Sequence, residues 1–221
     1  ELLSEIPGLY IPSLVQTQKI GNYVVPVDGQ RVVTAAKIPS LDTENYPEKP
    51  VVPLIEVVHS RLAVEVMRGC TRGCRFCSAG INYRPVRERT VRDIMDQIRC
   101  GIDSTGWKDV GLLSLSTADY SGFCTLLGEA RKIKYQKHVS LGLPSTRIDA
   151  LSEQQLELYE SVTTTSSITI APEAGSMRLR KVINKDFTDD MIFEAVKRLL
   201  NRNVQTLKRY FMVGLPTETM E

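Results

Sequence analysis

The stretch "LAVEVMRGCTRGCRFC", residues 62–77, runs from a strand-length apolar segment straight into three cysteines. In "LAVEVM" (62–67) the apolar Leu62, Val64 and Val66 alternate with other residues, the period of a half-buried strand. Glu65 is out of phase with them and belongs to the opposite face, where a polar group near a site is expected. Cys70, Cys74 and Cys77 follow in the order C-x3-C-x2-C. What comes after them decides whether this is a lone strand or the first of a series.

A series follows. "TVRDIMDQIRCGIDSTG" (90–106) carries Val91, Ile94, Ile98 and Ile102 at helical spacing, with Thr90 and Asp93 as a helix start. "DVGLLSLSTAD" (109–119) reads as the next strand, and "SGFCTLLGEARKIKYQ" (121–136) as the next helix. A third strand is expected in "VSLGLPS" (139–145) and a third helix in 152–162, capped by Ser152. "SSITIAP" (166–172) is a fourth strand, 188–203 a helix capped by Thr188, and "LKRYFMVGLP" (207–216) a fifth strand. Strands separated by helices pair in parallel through right-handed crossovers. The fold class is therefore α/β, either an open sheet or a barrel. No G-x-G-x-x-G follows a strand, which lowers the dinucleotide-binding version.

Residues 1 to 60 have another texture. Prolines recur from Pro7 to Pro53, and "NYVVPVDGQRVVTA" reads as a hairpin turning at Asp28-Gly29, with Val24, Val25 and Val27 on one side and Val32 and Val33 on the other. The division expected is a β-hairpin and proline-rich linker over 1 to 60, leading from a missing upstream domain, and an α/β domain over 61 to 221 that is incomplete at its C-terminus. The start at Glu1 and the end soon after a strand signal suggest a piece of a longer protein.

Charge is nearly balanced, 28 basic against 26 acidic residues, so nothing marks a strong nucleic-acid binder or an acidic tail. No apolar run reaches membrane-spanning length and no signal-peptide pattern opens the chain. Five cysteines, three of them clustered, do not suit a secreted disulfide framework. They suit a reducing, cytoplasmic setting in which thiolates meet metal.

The chemistry of parallel α/β folds gathers at the carboxyl ends of the strands. Here each end is polar: the cysteine loop, "SLSTADY", "PSTR", "APEAGSMR" and "GLPTE". Three close thiols could belong to a structural zinc site, but such sites usually take four protein ligands from paired knuckles. Three thiolates also suit a four-iron cluster with one iron open, and an open position is what a catalytic metal centre needs. Cys100 and Cys124, inside helices, read as small buried hydrophobes. Asp119 could cap the helix near Ser121. Arg84, Arg87 and Arg89 could be a solvated run or part of the site.

"CTRGCRFC", with Phe76 as the aromatic of C-x3-C-x-aromatic-C, resembles the signature of the radical S-adenosylmethionine superfamily. "LSLSTADY", "GLPSTRID", "APEAGSMRLRKVINK" and "RYFMVGLPTET" extend the resemblance from about Ile55 to the end. They point to the subgroup in which a cobalamin-binding-like domain comes first.

The resemblance implies a partial parallel (β/α) barrel, TIM-barrel-like, truncated here after the fifth strand and preceded by a small N-terminal β appendage. It implies a 4Fe-4S cluster held by Cys70, Cys74 and Cys77, with S-adenosylmethionine on the open iron. Reductive cleavage there yields a 5′-deoxyadenosyl radical that abstracts hydrogen from an unknown substrate. Among the cofactor contacts it implies, Phe76 lends its backbone to adenine. Ser116, Thr117 and Asp119 stand where a Gly-Gly-Glu element usually holds the methionine amine. Glu173 faces the ribose and Arg178 the carboxylate, while Met212, Val213 and Gly214 pack on adenine. It also implies an electron donor such as a flavodoxin or ferredoxin, with cobalamin a further candidate in the full-length protein. No residue acting on the substrate itself is identified. Two rivals remain: a methylthiotransferase acting on RNA or protein, although residues 1 to 60 lack cysteine, and a non-catalytic zinc or electron-transfer module.

Overall fold

The computed structural model describes residues 2–27, 33–41, 46–144, 147, 152–164, 167–202 and 204–219. The chain divides into two compact units, Glu1–Pro39 and Ser40–Glu221.

In the smaller unit, β1 (Thr17–Ile20) pairs antiparallel with β2 (Tyr23–Pro26), Ile20 facing Tyr23. The turn between them is made by Gly21, at φ 59°, and Asn22. This pair was not anticipated in the sequence, where the hairpin is expected to turn at Asp28-Gly29. Val24 and Val25 do lie in a strand, and Asp28-Gly29 and Val32 lie outside the described residues. The missed strand "TQKI" is exposed at every position, so burial left no alternation to read.

The larger unit is the α/β series. β3 (Leu62–Glu65), β6 (Asp109–Leu113) and β7 (Ser140–Gly142) are parallel in the order β3-β6-β7, and β8 (Ser167–Glu173) is parallel to β9 (Thr206–Phe211). Helices α2 (Val91–Thr105), α3 (Phe123–Lys137), α4 (Glu153–Val162) and α6 (Asp189–Leu200) alternate with them. This is the partial barrel; no closed barrel forms among the described residues. Between β3 and α2 lies a short antiparallel pair, β4 (Met67–Arg68) with β5 (Arg87–Glu88), enclosing the short α1 (Ala79–Asn82).

The core lies between sheet and helices. Leu62, Val64 and Val66 are buried together with Val110 and Leu112 of β6, and α2 lays Ile94, Ile98 and Ile102 into the same cluster. Gly101 permits this close approach, since a Cβ there would meet Leu62 Cδ2 at 2.6 Å. Caps fix the helix starts as expected. Thr90 accepts from Asp93 N, Thr188 from Met191 N, and Ser152 and Gln155 form a reciprocal capping box. Gly106 closes α2 at φ 76°.

One expectation is corrected here and two open alternatives are decided. Cys100 and Cys124 are exposed, because each falls off the buried stripe of its helix (Ile98 and Ile102; Phe123, Leu126 and Leu127). Arg87 and Arg89 are buried rather than solvated: Arg87 donates to the carbonyls of Pro85 and Tyr83, and Arg89 to those of Leu41 and Glu65. Asp119 does not cap α3, which begins at Phe123 with no side-chain cap. Among the described residues no helix is long and apolar enough to cross a membrane.

Candidate metal and cofactor site

The cysteine loop leaves β4 through Gly69, at φ 99°, where any Cβ would sit 2.7 Å from the Tyr83 carbonyl oxygen. Only glycine fits that crossing. Cys70, Cys74 and Cys77 are each partly exposed. Cys77 N donates to Cys74 O at 3.0 Å, which folds the last two cysteines into one turn.

The loop is pinned from across the domain. A short helix absent from the sequence reading, α5 (Met177–Val182), presents its C-terminal end to it. Arg75 Nη1 donates to Val182 O at 2.6 Å and to Lys181 O at 3.1 Å, and Arg75 N donates to Ile183 O at 3.0 Å. Asn184 Nδ2 returns a bond to Gly73 O at 2.8 Å. A cationic side chain on the last carbonyls of a helix is also favoured by the helix dipole.

Hydrogen-bond donors face the sulfurs. The Arg72 backbone N–H donates to Cys70 Sγ at 3.4 Å, and Arg147 Nη1 to Cys74 Sγ at 3.7 Å. Arg147 is braced over the Phe187 ring, 4.7 Å from its centroid. Hydrogen bonds to ligating sulfurs orient them and tune a bound metal centre. Among the described residues no three histidine, cysteine or acidic side chains surround a single-ion position. A cluster binds each thiolate to a separate iron, so its cysteines need not converge on one point. The donor set fits an iron–sulfur cluster.

Two further elements join this loop. Asp119, past the end of β6, receives Arg72 Nε at 2.6 Å on Oδ2, with Arg72 Nη2 on Oδ1, and Ser116 Oγ at 2.7 Å. Burial alone would raise its pKa. The bonds from Arg72 and Ser116, with the charges of Arg72 and Arg147, outweigh burial and hold the carboxyl below its usual range. Thr117 is buried against Ser114 Oγ at 2.6 Å, so its hydroxyl is engaged inside the turn.

The other is the end of β8. Glu173 has φ 68° at an irregularity in the β8–β9 ladder, and its carbonyl receives Met212 N at 2.8 Å. Its carboxylate pairs with the buried Lys185 at 2.9 Å, and Lys185 Nζ also donates to Ala171 O at 2.7 Å. The same ammonium lies 5.8 Å from the centre of the Phe76 ring. Phe76 and Glu173 thus meet through one lysine. Arg180, almost fully buried, bonds the carbonyls of Ala174, Gly175 and Phe187 and pairs with Asp189, fixing the turn after Glu173.

The remaining candidates gather differently. Arg178 donates to Thr217 Oγ1 and O, both at 2.8 Å, and so ties α5 to the segment after β9. Met212, Val213 and Gly214 lie just past β9 rather than within it. Met212 packs on Ala174, Leu179 and Ile183, Val213 is 94% exposed, and Gly214 turns at φ 82° with Glu218 capping its N–H. Sequence reading missed Arg72, Arg75, Arg147, Asn184 and Lys185. The two loop arginines stand at the variable positions of the cysteine motif, and the long-range partners of all five are set only by folding.

A family model described as the radical SAM superfamily matches residues 64–221. An uncharacterized protein of Methanocaldococcus jannaschii is 36% identical over 161 residues, covering 72% of this chain and 34% of that protein. A tRNA-2-methylthio-N(6)-dimethylallyladenosine synthase of a Hydrogenobaculum species is 22% identical over 223 residues, covering 96% of this chain and 47% of that protein. The chain therefore spans between a third and a half of these curated relatives. Among solved structures, the radical S-adenosylmethionine methyltransferase TsrM of Kitasatospora setae, with cobalamin and a 4Fe-4S cluster bound, aligns with TM-score 0.60 at 15% identity. That alignment covers 72% of this chain and 32% of TsrM. The cobalamin-dependent enzyme OxsB aligns with TM-score 0.54 at 17% identity, covering 69% of this chain and 24% of that one. These two likenesses concern the fold.

Proposed function

Because this chain belongs to the radical S-adenosylmethionine superfamily, we propose that Cys70, Cys74 and Cys77 hold three irons of a 4Fe-4S cluster and leave the fourth to S-adenosylmethionine. Such a cluster, once reduced, would supply the electron that divides S-adenosylmethionine into methionine and a 5′-deoxyadenosyl radical, which would take hydrogen from the substrate.

The protein's part is to hold and orient. Arg75 and Asn184 fix the loop on α5, and Arg72 joins it to Asp119. Asp119 and Ser116 take the methionine amine, with Thr117 shaping their turn. Glu173, set by Lys185, takes the ribose. Arg178 takes the carboxylate, which requires it to share or leave Thr217. Met212, Val213 and Gly214 close on adenine beside the Phe76 backbone.

The observation that carries the reading is the placement of three partly exposed thiols in one pinned loop at the carboxyl end of the first parallel strand. Iron and sulfide analysis after anaerobic reconstitution tests it. Cys70→Ala, Cys74→Ala and Cys77→Ala should each abolish cluster assembly, whereas Cys100→Ala and Cys124→Ala should not. Stoichiometric zinc without iron uptake would refute it.

Residues 61 to 221 are the radical domain in this reading, and 1 to 60 lead from an upstream domain. Electrons come from a small carrier such as a flavodoxin or ferredoxin, in the cytoplasm, where exposed thiolates escape oxidation. Cobalamin in the full-length protein is supported only by its presence in TsrM and OxsB. A second reading, methylthio transfer, draws on the tRNA-modifying relative, whose match extends over 96% of this chain.

A further inference from the structure

Beside the cysteine loop lies a pocket of about 530 Å³ that none of the S-adenosylmethionine residues above lines. Gly69, the residue before Cys70, forms part of its wall. The pocket lies on the face of the sheet turned away from the helices. Leu62 and Val64 of β3, with Val110 and Leu112 of β6, are buried in the helix-covered core, whereas Glu65 and its register partner Leu113 line the pocket. Four apolar side chains meet there: Met67, Tyr83, Leu113 and Leu115. The volume suits a small molecule.

Three of the four are left half-exposed, Tyr83 at 50%, Leu113 at 48% and Leu115 at 45%. The stretch "LSLS" (113–116) divides its work: Ser114 Oγ bonds Thr117 Oγ1 and Ser116 Oγ bonds Asp119, while both leucines are given to the pocket. Apolar surface gathered in one concave place gains free energy when something apolar covers it. The charges at the pocket are already closed on each other. Arg68 Nε and Nη2 donate to the two oxygens of Glu65, both at 2.7 Å, as a two-point fork. An ion entering would give up water and find no uncommitted counter-charge among the residues that line the pocket.

We propose that this pocket takes the substrate, and that the part of the substrate seated there is an uncharged apolar group, alkyl or aromatic, held by Met67, Tyr83, Leu113 and Leu115. The substrate role rests on the radical S-adenosylmethionine reading; the preference for an apolar group does not.

Titration calorimetry of the 221-residue chain, before and after cluster reconstitution, tests this with 1-butanol, 1-hexanol and 1-octanol. Each added methylene should tighten binding about fourfold. Leu113→Ser and Leu115→Ser should each weaken 1-octanol binding about tenfold. Neither leucine belongs to the buried core, so both variants should fold. Phe193→Ser, which removes an exposed aromatic of α6 that does not line the pocket, should leave the affinity unchanged. Octanoate and octylammonium should bind no more tightly than 1-octanol. An affinity that does not rise with chain length, that Phe193→Ser lowers as much as the leucine variants do, or that is about tenfold higher for either ion overturns the proposal. A chain that takes up a full cluster yet shows no such rise leaves the radical reading standing and removes this one. A rise that the leucine variants abolish, in a chain that takes up no iron, keeps the apolar site and removes the substrate role and the radical reading together.

Discussion

Arg72, two residues beyond Cys70, holds both carboxylate oxygens of Asp119 in a fork, with Nε 2.6 Å from Oδ2. The cysteine loop and the polar end of β6 therefore move as one piece. Asp119 has two partners in this arrangement, since Ser116 donates to it as well. Its proposed role at the S-adenosylmethionine amine is built on an anion already in place.

The sign of the pH effect follows. The folded-state pKa of Asp119 is depressed, so its ionised form contributes stability above the unfolded carboxylate range, and that stability is lost as pH falls through the folded value. Asp119→Asn should melt lower at neutral pH and lose less stability than wild type on acidification to about pH 3. The cost at neutral pH should be about 1–3 kcal/mol, the price of donors left without their anion. Melting curves across pH check this, and parallel curves for the two proteins would contradict it.

Glu173 and Lys185 demand a choice of substitution. Glu173→Ala strands a buried ammonium and should cost about 3–5 kcal/mol, which would mask any effect on cofactor binding. Glu173→Gln keeps an acceptor for Lys185. It should melt closer to wild type while binding S-adenosylmethionine more weakly, and isothermal titration against the melting temperature separates the two effects.

Gly69 is the hinge of the cysteine loop. At φ 99°, with the Tyr83 and Pro85 carbonyl oxygens at 2.7 and 3.0 Å from a Cβ, Gly69→Ala forces backbone to move. The strain should lower stability by about 1–3 kcal/mol and reduce iron retained after reconstitution. Wild-type iron content in this variant would show that the crossing is not what positions Cys70.

Much of this was legible before folding, and the exceptions share a cause. The strand phase of Leu62, Val64 and Val66, the α2 stripe of Ile94, Ile98 and Ile102, and the caps Thr90, Ser152 and Thr188 are local patterns that burial and hydrogen bonding confirm. The cysteine spacing is equally local. Arg75 on α5, Lys185 on Glu173 and Arg147 on Cys74 are pairings between distant segments, and a linear pattern carries no trace of them. The unanticipated β1 has the opposite origin: "TQKI" is wholly exposed, so no apolar alternation marked it as a strand.

Arg147 offers a readout independent of turnover. Its guanidinium donates to Cys74 Sγ at 3.7 Å, and positive charge with a hydrogen bond at a cluster sulfur favours the reduced state. Arg147→Gln should shift the midpoint potential of the reconstituted cluster to more negative values in a spectroscopically followed redox titration. An unchanged midpoint would reduce Arg147 to a packing partner of Phe187.

The claim at the centre is an iron left open beside three thiolate-bound ones, and electron paramagnetic resonance of the reduced, reconstituted protein tests it most directly. The spectrum should show a reduced cluster signal whose g-values shift on adding S-adenosylmethionine, because a new ligand changes the field at the open iron. Cys74→Ala should show neither the signal nor the shift. A wild-type cluster signal that saturating S-adenosylmethionine leaves unchanged would contradict the open iron, and no cluster signal at all would contradict the cluster.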